Sequence, residues 1–263
     1  MKKIFFALGF ITLFSIISCS KHKEEHIAQK DNHPHWTYQG ETSPEHWAEI
    51  EKNSDCNGKR QSPVNIIDIN TLPTKQTKNP LNLLYSPKTE LNQIVNNGYS
   101  IQFNFEKGDS IQYHNDTFHL AQIHFHEPSE HTINGIRYPL EIHLVHANKT
   151  NEYTVMAVLA QEGQESQLFE FLQSFLPIKE GKTKEIHQSL DLASLFPKNK
   201  NFYSYGGSLT TPPCSENVKW VIFKEPIIVS VEEVIKLKNN MPKDNYRNEQ
   251  PLNNRLISEN VNE

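Results

Sequence analysis

The sequence predicts a mainly β, α+β fold built as a single domain, and three observations carry that expectation. Most apolar segments are short and are bounded by Asn, Gly, Pro or Asp, the residues that punctuate strands. Two of them, around 122–126 and 141–146, alternate polar and apolar residues with period two, as half-buried strands do. Stretches with helical spacing are few.

Taken along the chain, short apolar runs predict strands over 81–85, 93–95, 100–105, 110–113, 117–126, 140–146, 153–159 and 218–223. A helix is expected over 164–176, where Leu168, Phe169, Phe171, Leu172 and Phe175 form one apolar stripe that ends before Pro177. Ser230-Val231-Glu232-Glu233 reads as a capping box leading into a helix over 234–238. A further short helix is expected within 185–195. The loop 127–139 holds Asn134-Gly135, a tight-turn dipeptide, so the strands on either side of it should be antiparallel neighbours.

The first 18 residues combine Met1-Lys2-Lys3 with an apolar run too short to span a bilayer, which predicts a signal peptide. Ile16-Ile17-Ser18-Cys19 resembles a bacterial lipobox, so Cys19 is expected to become a lipidated N-terminus that anchors the chain to a membrane. Residues 19–33 are charged and His-rich, a flexible tether with no core of its own. The folded domain is expected over 34–259, with 260–263 as a tail. Its ~225 residues suffice for one substantial core. With Cys19 set aside, Cys56 and Cys214 remain, either as one disulfide in an oxidising compartment or as two buried thiols. A formal net charge of -5 without Lys or Arg blocks argues against nucleic acid as a partner. The expected location is across the bacterial inner membrane, periplasmic or at the cell surface.

Chemistry concentrates on the two alternating strands. In a strand, residues i and i+2 point the same way. Gln122, His124 and His126 therefore share one face, and Glu141, His143 and Val145 share a face of the next strand. A His-x-His pair alone is weak among 13 histidines. The third His, and the Gln and Glu two residues before a His on each strand, strengthen it. Metal-bound imidazoles usually donate their second N–H to such groups. Three neutral nitrogens would leave a tetrahedral Zn2+ one open position, which is the catalytic arrangement and not the closed structural one.

The chain also resembles the α-class carbonic anhydrases of the bacterial, secreted type. The resemblance rests on Trp36-Thr37-Tyr38-Gln39-Gly40, Pro44-Glu45-His46-Trp47, Gln61-Ser62-Pro63-Val64-Asn65-Ile66 and Asn96-Asn97-Gly98. It continues in His124-Phe125-His126-Glu127-Pro128-Ser129-Glu130-His131, Glu141-Ile142-His143-Leu144-Val145-His146, Gly207-Ser208-Leu209-Thr210-Thr211-Pro212-Pro213-Cys214 and Gln250-Pro251-Leu252-Asn253-Asn254-Arg255. These segments keep the family's order from Trp36 to Arg255.

The resemblance implies a central ten-stranded, mostly antiparallel twisted sheet, with zinc at the base of a conical cleft. His124, His126 and His143 fall on its ligand positions. Gln122, Glu141 and the backbone carbonyl of Asn254 fall on the positions that hydrogen-bond the ligand rings. Cys56 and Cys214 match half-cystines of secreted members. The implied reaction is attack of zinc hydroxide on CO2, giving bicarbonate and a proton. Thr210 would accept from the hydroxide and donate to Glu130, while Thr211 marks the anion site. Val145, Val155, Leu209 and Trp220 would form the apolar wall for CO2. His131 matches a buried structural His, and a homodimer is compatible with the family.

Two departures stand out. Where fast members carry a proton-transferring His, this chain has Tyr99, a poor acceptor near neutral pH. Proton release is then expected to be slow, or to use buffer or another His, with His33 and His35 as candidates. Arg247-Asn248-Glu249-Gln250-Pro251 lacks a Pro usual at 248, which should affect only a surface turn. Two alternatives compete. His124-x-His126-x-x-x-Glu130 mimics a cupin ligand set for iron or manganese, and a non-catalytic zinc-binding surface lipoprotein would keep the histidines without the activity.

Overall fold

The computed structural model describes residues 36–74 and 81–261. The expected signal peptide, Cys19, the tether, His33 and His35 lie outside the described residues. Thirteen strands form one sheet, ten of them in a continuous hydrogen-bonded path. In chain order the ten are β1 (Leu72–Pro73), β2 (Thr89–Asn96), β3 (Ile101–Phe105), β4 (Asp116–His126), β5 (Leu140–Ala147), β6 (Tyr153–Glu162), β7 (Lys182–Leu190), β8 (Phe202–Gly207), β9 (Val218–Phe223) and β10 (Ser258–Asn260). Across the sheet they run β7-β2-β3-β4-β5-β6-β9-β8-β10-β1. Only β6–β9 and β10–β1 are parallel within this path. Leu81–Leu84, Ser110–Tyr113 and Ile227–Val229 attach beside it.

The central strands are covered on both faces. Along β5, Leu140, Ile142 and Leu144 enter a large core with Phe103, Phe125, Met156 and Phe223. Helices α1 (Gln167–Gln173) and α2 (Val231–Lys238) close that core with Phe169, Leu172, Val234 and Leu237. The capping box starting α2 is present, with Ser230 and Glu233 exchanging hydrogen bonds. The alternate residues of β5, Glu141, His143 and Val145, face the other side, where Val155, Tyr205 and Trp220 form a second cluster. Burying both faces frees the polar residues of one face for a site shielded from water.

Between β4 and β5, Thr132–Ile133 and Ile136–Arg137 make a small hairpin. Asn134 and Gly135 turn it with φ of 52° and 77°, the left-handed pair that a two-residue hairpin loop requires.

One expectation is narrowed by the structure. The short helix expected within 185–195 is confined to a 3-10 helix at Leu192–Leu195, while the residues up to Leu190 end β7, which pairs antiparallel with β2. Strand β7 is an edge strand exposed along nearly its whole length, so it carries no alternation to read. A bulge between Glu185 and Gln188, with His187 at φ 54°, breaks the period further. Strand β8 has no counterpart among the expected strands; it is held extended by β9 along its whole length and by β10 over Phe202–Ser204.

Candidate active site

Register decides how the histidines meet. On β4 and β5, His124 stands opposite His143, His126 opposite Glu141, and Gln122 opposite Val145. The ring centroids lie 5.0 Å apart for His124–His126 and His124–His143, and 4.6 Å apart for His126–His143. One nitrogen of each ring is held from behind. His124 Nδ1 donates to Gln122 Oε1 at 2.9 Å, His126 Nδ1 to the Asn245 carbonyl at 2.6 Å, and His143 Nε2 to Glu141 Oε1 at 2.7 Å. Those acceptors leave lone pairs on His124 Nε2, His126 Nε2 and His143 Nδ1. These atoms converge, with His124 Nε2 only 3.3 Å from His143 Nδ1.

The donor set suits a cation. Burial keeps all three rings neutral, pushing His124 well below its ordinary value, His126 down to about 4 and His143 also downward. His126 Nε2 is buried without a hydrogen-bond partner, and so is Glu130 Oε2, 3.5 Å away. Buried polar atoms are rarely left alone. Three neutral nitrogens with a carboxylate oxygen beside them fit Zn2+, which the three His would hold.

Glu141 anchors the back of this arrangement. Its Oε1 accepts from His143 Nε2 and His131 Nδ1, both at 2.7 Å. Its Oε2 accepts from the N–H groups of Glu130 at 2.8 Å and His131 at 2.7 Å. Burial pushes its carboxyl up, but His131 and His143 outweigh that and hold it well below the carboxylate range. His131 Nε2 is bonded to the Tyr205 hydroxyl at 2.8 Å. Both its nitrogens are therefore occupied, which makes His131 a structural link and not a ligand.

A family model described as eukaryotic-type carbonic anhydrase matches residues 42–261. The carbonic anhydrase of Klebsiella pneumoniae is 38% identical over 231 residues, covering 86% of this chain and 91% of that protein. That of Neisseria gonorrhoeae is 35% identical over 253 residues, covering 95% and 96%. The α-carbonic anhydrase of Thermovibrio ammonificans, solved with the inhibitor sulfanilamide, superposes with a TM-score of 0.80 at 37% identity, covering 85% of this chain and 98% of that one. The Photobacterium profundum α-carbonic anhydrase gives 0.76 at 38%, covering 85% and 99%.

This chain belongs to the α-carbonic anhydrase family.

Membership removes the cupin alternative. The remaining residues of this α-carbonic anhydrase gather around the convergent nitrogens. Thr210, 6% exposed, sits beside Glu130, and its side chain acts to lower the Glu130 carboxyl. Glu130 Oε1 also accepts from the Arg247 N–H at 3.0 Å. Burial raises the Glu130 carboxyl to about 7. The loop carrying Leu209, Thr210 and Thr211 is closed by hydrogen bonds from Leu209 N to Ser215 O at 3.1 Å and from Cys214 N to Thr211 O at 2.9 Å. It is stapled by a disulfide between Cys214 and Cys56, whose Cα atoms are 4.9 Å apart.

The apolar wall follows from register as well. Val145 pairs with Val155, and Val155 with Trp220, so three adjacent strands place them side by side. Trp220 packs against His143 with centroids 4.9 Å apart, and Leu209 lies against the same cluster. Tyr99 sits on the Trp36 ring, centroids 3.8 Å apart and planes at 14°. Burial, then the carboxylates of Glu51 and Glu180, raise its phenol above the ordinary value. Asn248, where Pro is usual, is exposed and bonds Glu45 at 3.1 Å.

One expected residue is misplaced. Asn254 is exposed in a turn at φ 64°, where it holds no histidine. The carbonyl behind His126 belongs to Asn245, which is fully buried. A main-chain carbonyl demands no particular side chain, so residue type gives no signal for such a partner.

Proposed function

We propose that this protein catalyses the reversible hydration of CO2 to bicarbonate and a proton, with Zn2+ held by His124, His126 and His143. The observation that supports it best is the convergence of three neutral, rear-anchored imidazoles beside the Thr210–Glu130 pair. Zinc held there supplies a Lewis acid that brings the pKa of water toward neutrality, for which carbonic anhydrases are the standard example.

The chain's own residues do the rest. Glu130 in its carboxylate form can only accept, so the Thr210 hydroxyl hydrogen is turned toward it and the Thr210 oxygen is left free to accept. That fixes the direction of a hydroxyl donor in front of the histidines, and orientation alone contributes several kcal/mol, roughly, to such barriers. CO2 has no charge to grip, and Val145, Val155, Leu209 and Trp220 offer it a dry wall beside that point. Thr211 provides a hydroxyl for the anionic product. Tyr99 does not take up the departing proton near pH 7, since a phenol whose pKa is raised further is a poor base. Buffer then carries it.

The chain is further proposed to be exported, cleaved before Cys19 and lipid-anchored at the periplasmic or outer surface. The lipobox resemblance supports this, and so does a disulfide that suits an oxidising compartment. Stopped-flow CO2 hydration, with and without a zinc chelator, tests the activity. Chelator-sensitive turnover is expected, and bound zinc without hydration would revive the non-catalytic lipoprotein. Cys19→Ala followed by membrane fractionation tests the anchor, with soluble protein expected only from the variant.

A further inference from the structure

The main chain on either side of Tyr246 touches two groups of the site. The Asn245 carbonyl accepts from His126 Nδ1 at 2.6 Å, and the Arg247 N–H donates to Glu130 Oε1 at 3.0 Å. Neither contact uses the side chain of Asn245 or Arg247. Their precision therefore depends on what fixes this stretch of backbone.

Both flanking side chains are buried, Asn245 at 0% exposure and Arg247 at 2%, and both bind main chain elsewhere. The Asn245 carboxamide brackets His126. Its Nδ2 donates to the carbonyls of Phe125 and Tyr99, each at 3.0 Å, and its Oδ1 accepts from Glu127 N at 2.8 Å. Arg247 reaches the opposite way. Its Nη1 donates to Gln61 Oε1 at 2.7 Å and Ser62 O at 3.0 Å, and its Nη2 to Cys56 O at 2.9 Å. Its guanidinium lies 5.7 Å from the Trp47 ring centroid. Cys56 is bonded to Cys214, which ends the loop that carries Thr210. Gln61 in turn donates to Cys214 O at 3.2 Å. Arg247 is thus tied to the same stapled segment that holds the loop presenting Thr210 to Glu130.

We propose that Asn245–Arg247 is a clamp in which two side chains position two main-chain groups: the Asn245 carboxamide sets the His126 ring, and the Arg247 guanidinium sets Glu130. Both are positioning residues, and the inference rests on the roles proposed above for His126 and Glu130. It separates two properties that a general loosening would move together.

The test uses the zinc-loaded protein. Asn245→Ala keeps the carbonyl but loses the carboxamide. It is expected to release zinc to a chelator about tenfold faster or more, a larger factor than its loss of kcat at saturating zinc. Arg247→Lys is expected to lower kcat by about tenfold with KM and zinc release near wild type, since the loss falls on an orienting group and not on ground-state binding. On a Glu130→Gln background the Arg247→Lys effect should disappear. If Arg247→Lys does not fold, Gln61→Leu removes one of its acceptors and should show the same kcat-selective loss. Zinc release, kcat and thermal midpoint moving in parallel in both variants overturns the clamp, as does an unchanged kcat in both Arg247→Lys and Gln61→Leu. Wild type is assayed alongside: if it does not hydrate CO2 the functional reading fails, while the zinc-release result still judges the Asn245 half.

Discussion

Replacing Glu141 by Gln keeps the shape and changes one atom, yet it should disable metal binding. The carboxylate accepts four hydrogen bonds, two on each oxygen. A carboxamide can accept at only one end. The donors facing Oε2 are the N–H groups of Glu130 and His131, which cannot change their protonation, so the Gln oxygen must turn there. The NH2 group then meets His131 Nδ1 and His143 Nε2. To avoid two donors face to face, His143 must shift its proton to Nδ1, the atom that points at His124 and the metal position. Zinc binding has to reverse that shift. Removing a partner of this kind typically costs 10–100-fold in metal affinity, or about 1.4–2.7 kcal/mol. The upper end or beyond is expected here because the tautomer itself is wrong. Competition with a chromophoric chelator measures the affinity, and 15N chemical shifts of His143 in the metal-free protein report which nitrogen carries the proton. Wild-type zinc affinity in Glu141→Gln, or a His143 still protonated at Nε2, would refute the reasoning.

Three further outcomes follow from the geometry. Tyr99→His should raise CO2 turnover roughly tenfold at low buffer and little at high imidazole, because an imidazole accepts protons near neutral pH; no gain at low buffer means that this position does not limit proton release. Val145→Phe fills the wall between His143 and Val155 and should cut kcat/KM for CO2 on the order of 10–100-fold with zinc content unchanged; an unaffected rate would remove CO2 from that wall. His146 is buried, accepts from Tyr85 and donates to Leu144 O, and burial pushes it down to about 4. As pH falls below about 6.5 the unfolded chain takes up this proton first, so stability held above pH 6.5 is lost progressively down to about 4. Between pH 8 and pH 5 the loss from this group is about 2 kcal/mol. Chemical denaturation of His146→Gln should show a pH slope shallower by that amount, and identical slopes would exclude His146 as the cause.

The site was legible in the sequence to the extent that it depends on side-chain type at fixed spacing. Alternation along 122–126 and 141–145 put Gln122, His124 and His126 on one face of their strand and Glu141 and His143 on one face of the next, because strand geometry leaves no other choice. Asn134-Gly135 announced the hairpin between them for the same local reason. What the spacing left open was register, which pairs His124 with His143 and lines up Val145, Val155 and Trp220 across three strands. Register depends on which strands neighbour each other, and β6 lies beside β9 only through a long parallel crossover. Edge strand β7, exposed and bulged, carries no alternation for the same tertiary reason. The Asn245 carbonyl and the Arg247 N–H were out of reach altogether. Every residue but proline offers that pair of groups, so only the fold determines which copies arrive at His126 and Glu130.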